Sequence, residues 1–147
     1  MEIINREAKY NYFILEELEC GIVLTGTEIK SVRLGKVNLK DSYALIRNHE
    51  IYLVNTHISA YKEGNIFNHL ERRNRKLLLH KKEILKLENK VTLEGLTLIP
   101  LKLYFKKDKA KILIGLCRGK KNFDKRETIK KRELEREASK LSKYNYK

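Results

Sequence analysis

The chain has 147 residues, 33 of them Lys or Arg and 19 Asp or Glu, for a formal net charge of +14. That length supports one domain with a modest core, and charged residues interrupt every hydrophobic stretch, which excludes a membrane-spanning helix. So large a cationic excess costs self-repulsion in the folded state and points to a polyanionic partner. Nucleic acid ranks ahead of an anionic membrane surface, because no basic helix with a strongly apolar face is evident. The opening residues Met1 to Arg6 lack the layout of a signal peptide. Cys20 and Cys117 lie far apart and outside any CxxC pair, so they read as ordinary thiols of a cytoplasmic chain.

In chain order, Tyr12 to Leu24 reads as one long or bent strand, with Gly21 at the bend. Thr25-Gly26-Thr27-Glu28 opens a short helix with a threonine cap and an early acid, and Gly35 is its terminator. Asp41 to Ile46 and Ile51 to Ile58 are apolar runs joined by Arg47-Asn48-His49-Glu50, a hairpin layout. Tyr61 to Lys76 shows little periodicity, contains the cluster Arg72-Arg73-Asn74-Arg75-Lys76, and reads as a long functional loop. From Lys81 to Thr92, Ile84, Leu87 and Val91 share a helical face, with Gly95 just beyond the end. Ile99, Leu101, Leu103 and Phe105 alternate with Pro100, Lys102, Tyr104 and Lys106, a half-buried strand in which Pro100 marks an edge or bulge. Ala110 to Cys117 is its partner across Lys107-Asp108-Lys109. The pattern predicts a mainly β fold with inserted helices, an OB-like closed antiparallel barrel over residues 1–118.

Residues 118–147 carry 12 of the basic residues and five of the acids. Half the charge excess therefore lies in about a fifth of the chain, and residues 119–147 are read as a basic C-terminal tail. Leu134, Ala138 and Leu141 form only a thin stripe, while Arg132, Arg136 and Lys140 repel one another at helical spacing. Alone in water such a tail is expected to be mostly disordered, and to fold as a helix when RNA cancels its charge.

No enzyme signature emerges. His49, His57, His69 and His80 stand singly, without metal-ligand spacing. The glycines are too scattered for a phosphate loop, and no GxSxG is present. Asp41, Asp108 and Asp124 occur one at a time beside lysines, as in turns or surface pairs. Neither a metal nor a cofactor is expected. Nucleic-acid binding does have content, because eight tyrosines and four phenylalanines are interleaved with basic residues. Phe13 and Phe105 are assigned to the core. Phe123, in a tail with no core to join, is assigned to function. Composition alone leaves open a general ribosomal or tRNA-binding OB-fold protein.

Longer blocks narrow this. Asn5-Arg6-Glu7-Ala8-Lys9-Tyr10, then Glu19 through Ser31, then Val37-Asn38-Leu39-Lys40-Asp41-Ser42-Tyr43 resemble the opening of the SmpB family. Asn65-Ile66-Phe67-Asn68-His69, Arg72 through His80, Gly95 through Leu101 and Gly119 through Arg126 are similar to its later blocks, in order. The resemblance implies an RNA-binding adaptor, not an enzyme. It would bind the tRNA-like part of transfer-messenger RNA (tmRNA) and enter stalled ribosomes with elongation factor Tu and GTP for trans-translation, working as a monomer. By position, Glu19, Leu78, His80 and Lys111 fall where the family contacts its RNA, with Asn5 and Arg6 close by, and Lys120 and Lys121 suit phosphate contact. Phe123, Asp124, Lys125 and Arg126 match the stretch that enters the decoding centre of the small subunit. Position 123 is Phe where some relatives have His, which leaves stacking as its role.

Overall fold

Two turns set the frame of the fold described by the computed structural model, which covers residues 1–145. Asn48 and His49, and likewise Lys107 and Asp108, all take positive φ between 50° and 63°. Two such residues in succession match the right-handed twist of the strands that they join. They close hairpins between β4 (Tyr43–Arg47) and β5 (Glu50–Val54), and between β8 (Thr97–Lys106) and β9 (Lys109–Gly119). Both turns are tighter than the three- and four-residue connections expected, because Arg47 pairs with Glu50 and Lys106 with Lys109.

Around these hairpins lie β1 (Glu2–Ile4), β2 (Tyr12–Ile22) and β7 (Arg75–Leu78). The seven strands form one antiparallel sheet in the order β1-β8-β4-β5-β7-β2-β9, and β8 also pairs with β9. A separate two-stranded pair joins β3 (Val37–Asn38) and β6 (His57–Ile58). Registers shift between Ile14 and Glu16 and between Pro100 and Lys102. The second shift falls where Pro100 has no N–H to give to the ladder.

Helix α2 (Gly26–Arg33) starts with a full capping box, in which Thr25 N–H donates to Glu28 Oε1 at 2.9 Å and Glu28 N–H returns to Thr25 Oγ1 at 3.4 Å. Helix α3 (Lys81–Glu94) ends at Gly95 in the left-handed conformation, φ +63°, and lays Ile84 and Leu87 onto the sheet. Ile51, Leu53, Ile58, Leu77, Leu103, Ile112 and Ile114 form the wholly buried centre of the core. A smaller cluster of Ala8, Ile99, Leu101 and Cys117 seats the short helix α1 (Ala8–Asn11) against β8 and β9. No described helix is long and apolar enough to cross a membrane.

The expected loop from Tyr61 to Lys76 is largely structured. Lys62–Phe67 form a 3₁₀ helix, and β7 begins at Arg75. Arg75 belongs to the interior rather than to a displayed basic cluster. It is fully buried, its Nε donates to the buried carboxylate of Glu28, and its Nη1 donates to Thr56 O at 2.7 Å. Residues Asn122–Asn145 form helix α4, and the last two residues of the expected 119–147 tail lie outside the described residues.

Candidate nucleic-acid interface

Antiparallel pairing builds one row across four strands. Tyr104 on β8 faces Lys111 on β9, Lys111 faces Gly21 on β2, and Gly21 faces Leu78 on β7. At the usual spacing of strands the row spans about 14 Å. Side chains alternate across a sheet, and here Cys20, Ile22, Leu77, Leu103 and Ile112 point to the core. The row therefore faces outward. A second row runs beside it through Lys102, Leu113 and Glu19.

Glycine at position 21 has a visible cause. A Cβ there would lie 3.1 Å from Leu78 Cβ and 3.2 Å from its Cδ1, so Leu78 lies across the bare glycine while remaining 53% exposed. His80, two residues further on, is exposed at the start of α3. Glu19 is an acid amid cations. The Tyr104 hydroxyl donates to its Oε2, Lys106 Nζ stands 3.6 Å from its Oε1, and Lys111 lies nearby. The Tyr104 hydrogen bond, aided by both lysines against a desolvation penalty, holds the Glu19 carboxyl below its ordinary pKa. Glu19 is thus an oriented anion, able to accept from base amino groups or ribose hydroxyls.

Asn5 acts first on the fold. Its Nδ2 donates to Pro100 O at 2.9 Å and its N–H to Leu101 O at 2.8 Å, which pins the N-terminal segment beside the β8 bulge. Arg6, Lys9, Lys102 and Arg132 stand round a groove there that also reaches Leu113, the residue opposite Glu19. Asn5, Arg6, Glu19, Leu78 and Lys111 are thereby brought into one continuous surface, with His80 beyond Leu78.

The remaining expected residues occupy a second place, the junction of α1 and α4. Lys120 is more than a surface cation. Its Nζ donates to Lys9 O at 2.9 Å and Thr128 Oγ1 at 2.7 Å, lies 4.9 Å from the Phe13 ring centre, and its N–H donates to Asn11 O at 2.8 Å. Asp124 accepts from the Lys121 N–H at 3.2 Å, and Lys125 Nζ stands 5.8 Å from the Tyr10 ring centre. Phe123 is 65% exposed, and Lys121 and Arg126 are also exposed. Phe13 and Phe105 are half-buried, each with a guanidinium over its ring, from Arg118 and Arg33.

In the sequence Tyr104 is only an aromatic between lysines. Its bond to Glu19 joins positions 85 apart and has no local signal. Among the described residues no cluster of three or more His, Cys, Asp or Glu has the geometry to hold a metal.

The family model described as SmpB protein matches residues 2–144, which takes in both surfaces. The chain belongs to the SmpB family. Its relatives include an SsrA-binding protein of Desulfitobacterium hafniense, 59% identical over 133 residues that cover 90% of this chain and 85% of the relative. One from Enterococcus faecalis is 55% identical over 141 residues, covering 96% and 92%. A solved structure described as "tmRNA-SmpB: a journey to the center of the bacterial ribosome" has a chain 50% identical, with TM-score 0.70, covering 82% of this chain and 85% of that one. The mainly β architecture with helices is therefore shared with a structurally known SmpB chain.

Proposed function

We propose that this chain is a non-catalytic RNA-binding adaptor that grips the tRNA-like domain of tmRNA and carries it to stalled ribosomes for trans-translation. The observation that carries this reading is the outward row Tyr104–Lys111–Gly21–Leu78 with the oriented carboxylate of Glu19 beside it. Lys111 supplies a phosphate partner, Leu78 an apolar contact for a base or sugar, and Glu19 an acceptor that phosphate cannot mimic. The names of the SsrA-binding relatives and the tmRNA–SmpB neighbour support the choice of RNA.

Residues 1–118 act as an OB-like closed barrel, a reading supported by the succession of strand pairings that returns from β9 to β8. Residues 119–147 act at the ribosome, where Phe123 stacks on an rRNA base of the decoding centre and Lys125 and Arg126 pair phosphates, with Asp124 bracing the first turn. Elongation factor Tu with GTP joins through the aminoacylated RNA, and the adaptor works as a cytoplasmic monomer.

A competition filter-binding assay tests the choice of RNA. Labelled tmRNA is expected to stay bound against excess bulk tRNA, with steep loss of affinity as salt rises. Equal competition by bulk tRNA would reduce the chain to a general tRNA-binding protein.

A further inference from the structure

Ile66, Phe67 and Leu70 are 88%, 84% and 78% exposed. Single apolar side chains at a surface are ordinary, but three within five positions on a restrained turn are not. The restraint is extensive. Asn68 closes a ring with Tyr61, its Oδ1 accepting from Tyr61 N–H at 2.8 Å and its Nδ2 donating to Tyr61 O at 2.5 Å. The ring nitrogens of His69 reach Thr27 Oγ1 and Ile58 O, each at 2.9 Å. Gly64 fits so tightly that a Cβ would lie 2.8 Å from Asn68 Nδ2 and 2.9 Å from Thr27 Cγ2. The polar residues thus fix the backbone while the apolar ones face water. A surface held in this way gives up little backbone entropy when a partner covers it.

Two observations identify the partner. Lys30, whose Nζ sits 5.3 Å from the Tyr61 ring centre, stands by the turn, and the exposed Lys62 and Arg72 lie in it beside Glu63 and Glu71, with Glu71 paired to His57 and Arg72 Nη1 donating to Asn55. These five side chains leave one net positive charge on a chain of +14, which favours an anionic partner. The turn also adjoins the Glu19–Leu78 surface. Arg73 Nη2 donates to Val23 O at 3.4 Å, the exposed Val23 lies one residue past the end of β2 and two past the outward Gly21, and β7 leads from the turn to Leu78. A flat apolar element on a polyanion that already lies on this face is an unstacked nucleobase.

We propose that Phe67, flanked by Ile66 and Leu70, is a stacking platform for an unpaired base of the same tmRNA, with Lys62 and Arg72 meeting the adjoining phosphates. The platform rests on the tmRNA reading above and extends the contact beyond the Glu19–Leu78–Lys111 surface.

The chain contains no tryptophan, so Phe67→Trp in the full-length protein supplies a lone reporter. Titration with full-length tmRNA, followed by both fluorescence and filter retention, tests the platform. The Trp variant is expected to bind at least as tightly as the native chain, with its emission quenched in step with retention. Phe67→Leu, which keeps the apolar bulk and removes the ring, is expected to bind about ten-fold more weakly. Unchanged emission at full retention would overturn the platform and leave the functional reading standing. So would a Leu variant of native affinity beside a weakened Trp variant, the pattern of an apolar protein pocket. Failure of the native chain to retain tmRNA would overturn both.

Discussion

Arg75 and Glu28, 47 positions apart, meet as an ion pair in which both side chains are fully buried. Arg73 adds a second guanidinium to the same carboxylate, and Arg75 also holds the carbonyls of Thr56 and Glu71. The network ties α2 to β7 and to the segment that precedes it. Because the charges satisfy one another, removing one partner leaves the other buried and unpaired. Glu28→Ala is expected to cost about 3–5 kcal/mol, measured by urea unfolding. Near-native stability would mean that the pair contributes nothing.

The same carboxylate predicts an acid limit to stability. Burial alone would raise the pKa of Glu28, but hydrogen bonds from Arg73, the Thr25 N–H and Arg75 outweigh it, and the net shift is downward. In the unfolded chain a glutamate titrates at about 4.3. The unfolded state therefore binds more protons below that value, so stability is full above it and falls as pH drops toward the folded-state pKa. The urea midpoint of the native chain should decline below about pH 4.5, and Glu28→Gln should flatten that decline. Identical acid slopes in the two proteins would contradict the assignment.

Tyr104 offers a spectroscopic test of the RNA face. Burial first, and then its bond to Glu19, push its phenol up to about 12, while an ordinary tyrosine ionises near pH 10. In an alkaline ultraviolet titration Tyr104 should ionise late, together with Tyr52, whose hydroxyl donates to Glu50 and whose pKa is also raised. Tyr104→Phe should remove one tyrosine from the late phase and, by freeing Glu19 to rotate, weaken tmRNA retention several-fold. Loss from the early phase would show that the bond to Glu19 does not form.

Gly21→Ala separates surface shape from stability. The new methyl must displace Leu78, which is half exposed and can swing toward solvent. Stability should change by less than about 1 kcal/mol, as for a surface substitution, while tmRNA affinity drops. Native affinity would mean that the position of Leu78 does not matter to the RNA.

Much of this was legible in the sequence where local chemistry repeats. Ile84, Leu87 and Val91 mark α3, Thr25 and Glu28 mark the start of α2, and the alternation from Ile99 to Lys106 marks β8 together with the irregularity at Pro100. Strand β7 was hidden because its first inward residue is Arg75 rather than an aliphatic, so a strand of period two looks like a basic cluster running into leucines. The partner that makes this burial tolerable, Glu28, looks from sequence like no more than a helix-opening acid. Only the family resemblance singles out Glu19, Leu78 and Lys111. Their meeting in adjacent rows depends on registers among β2, β7 and β9, which no local pattern encodes. The double role of Lys120, which satisfies the last-turn carbonyls of Lys9 and Asn11 in α1 and holds Thr128 of α4, likewise depends on contacts that only the folded chain creates.

Ending the chain after Lys121 separates RNA capture from ribosome engagement most directly. The strand rows that carry Glu19, Leu78 and Lys111 lie wholly before that point, whereas Phe123 to Arg126 lie after it. Retention of tmRNA by the shortened protein should persist, lowered at most by the loss of Arg132 from the groove beside Asn5 and Arg6, and tagging of peptides on stalled ribosomes should disappear. Loss of tmRNA retention and tagging together, or tagging that survives without α4, would contradict the division of work between the two surfaces.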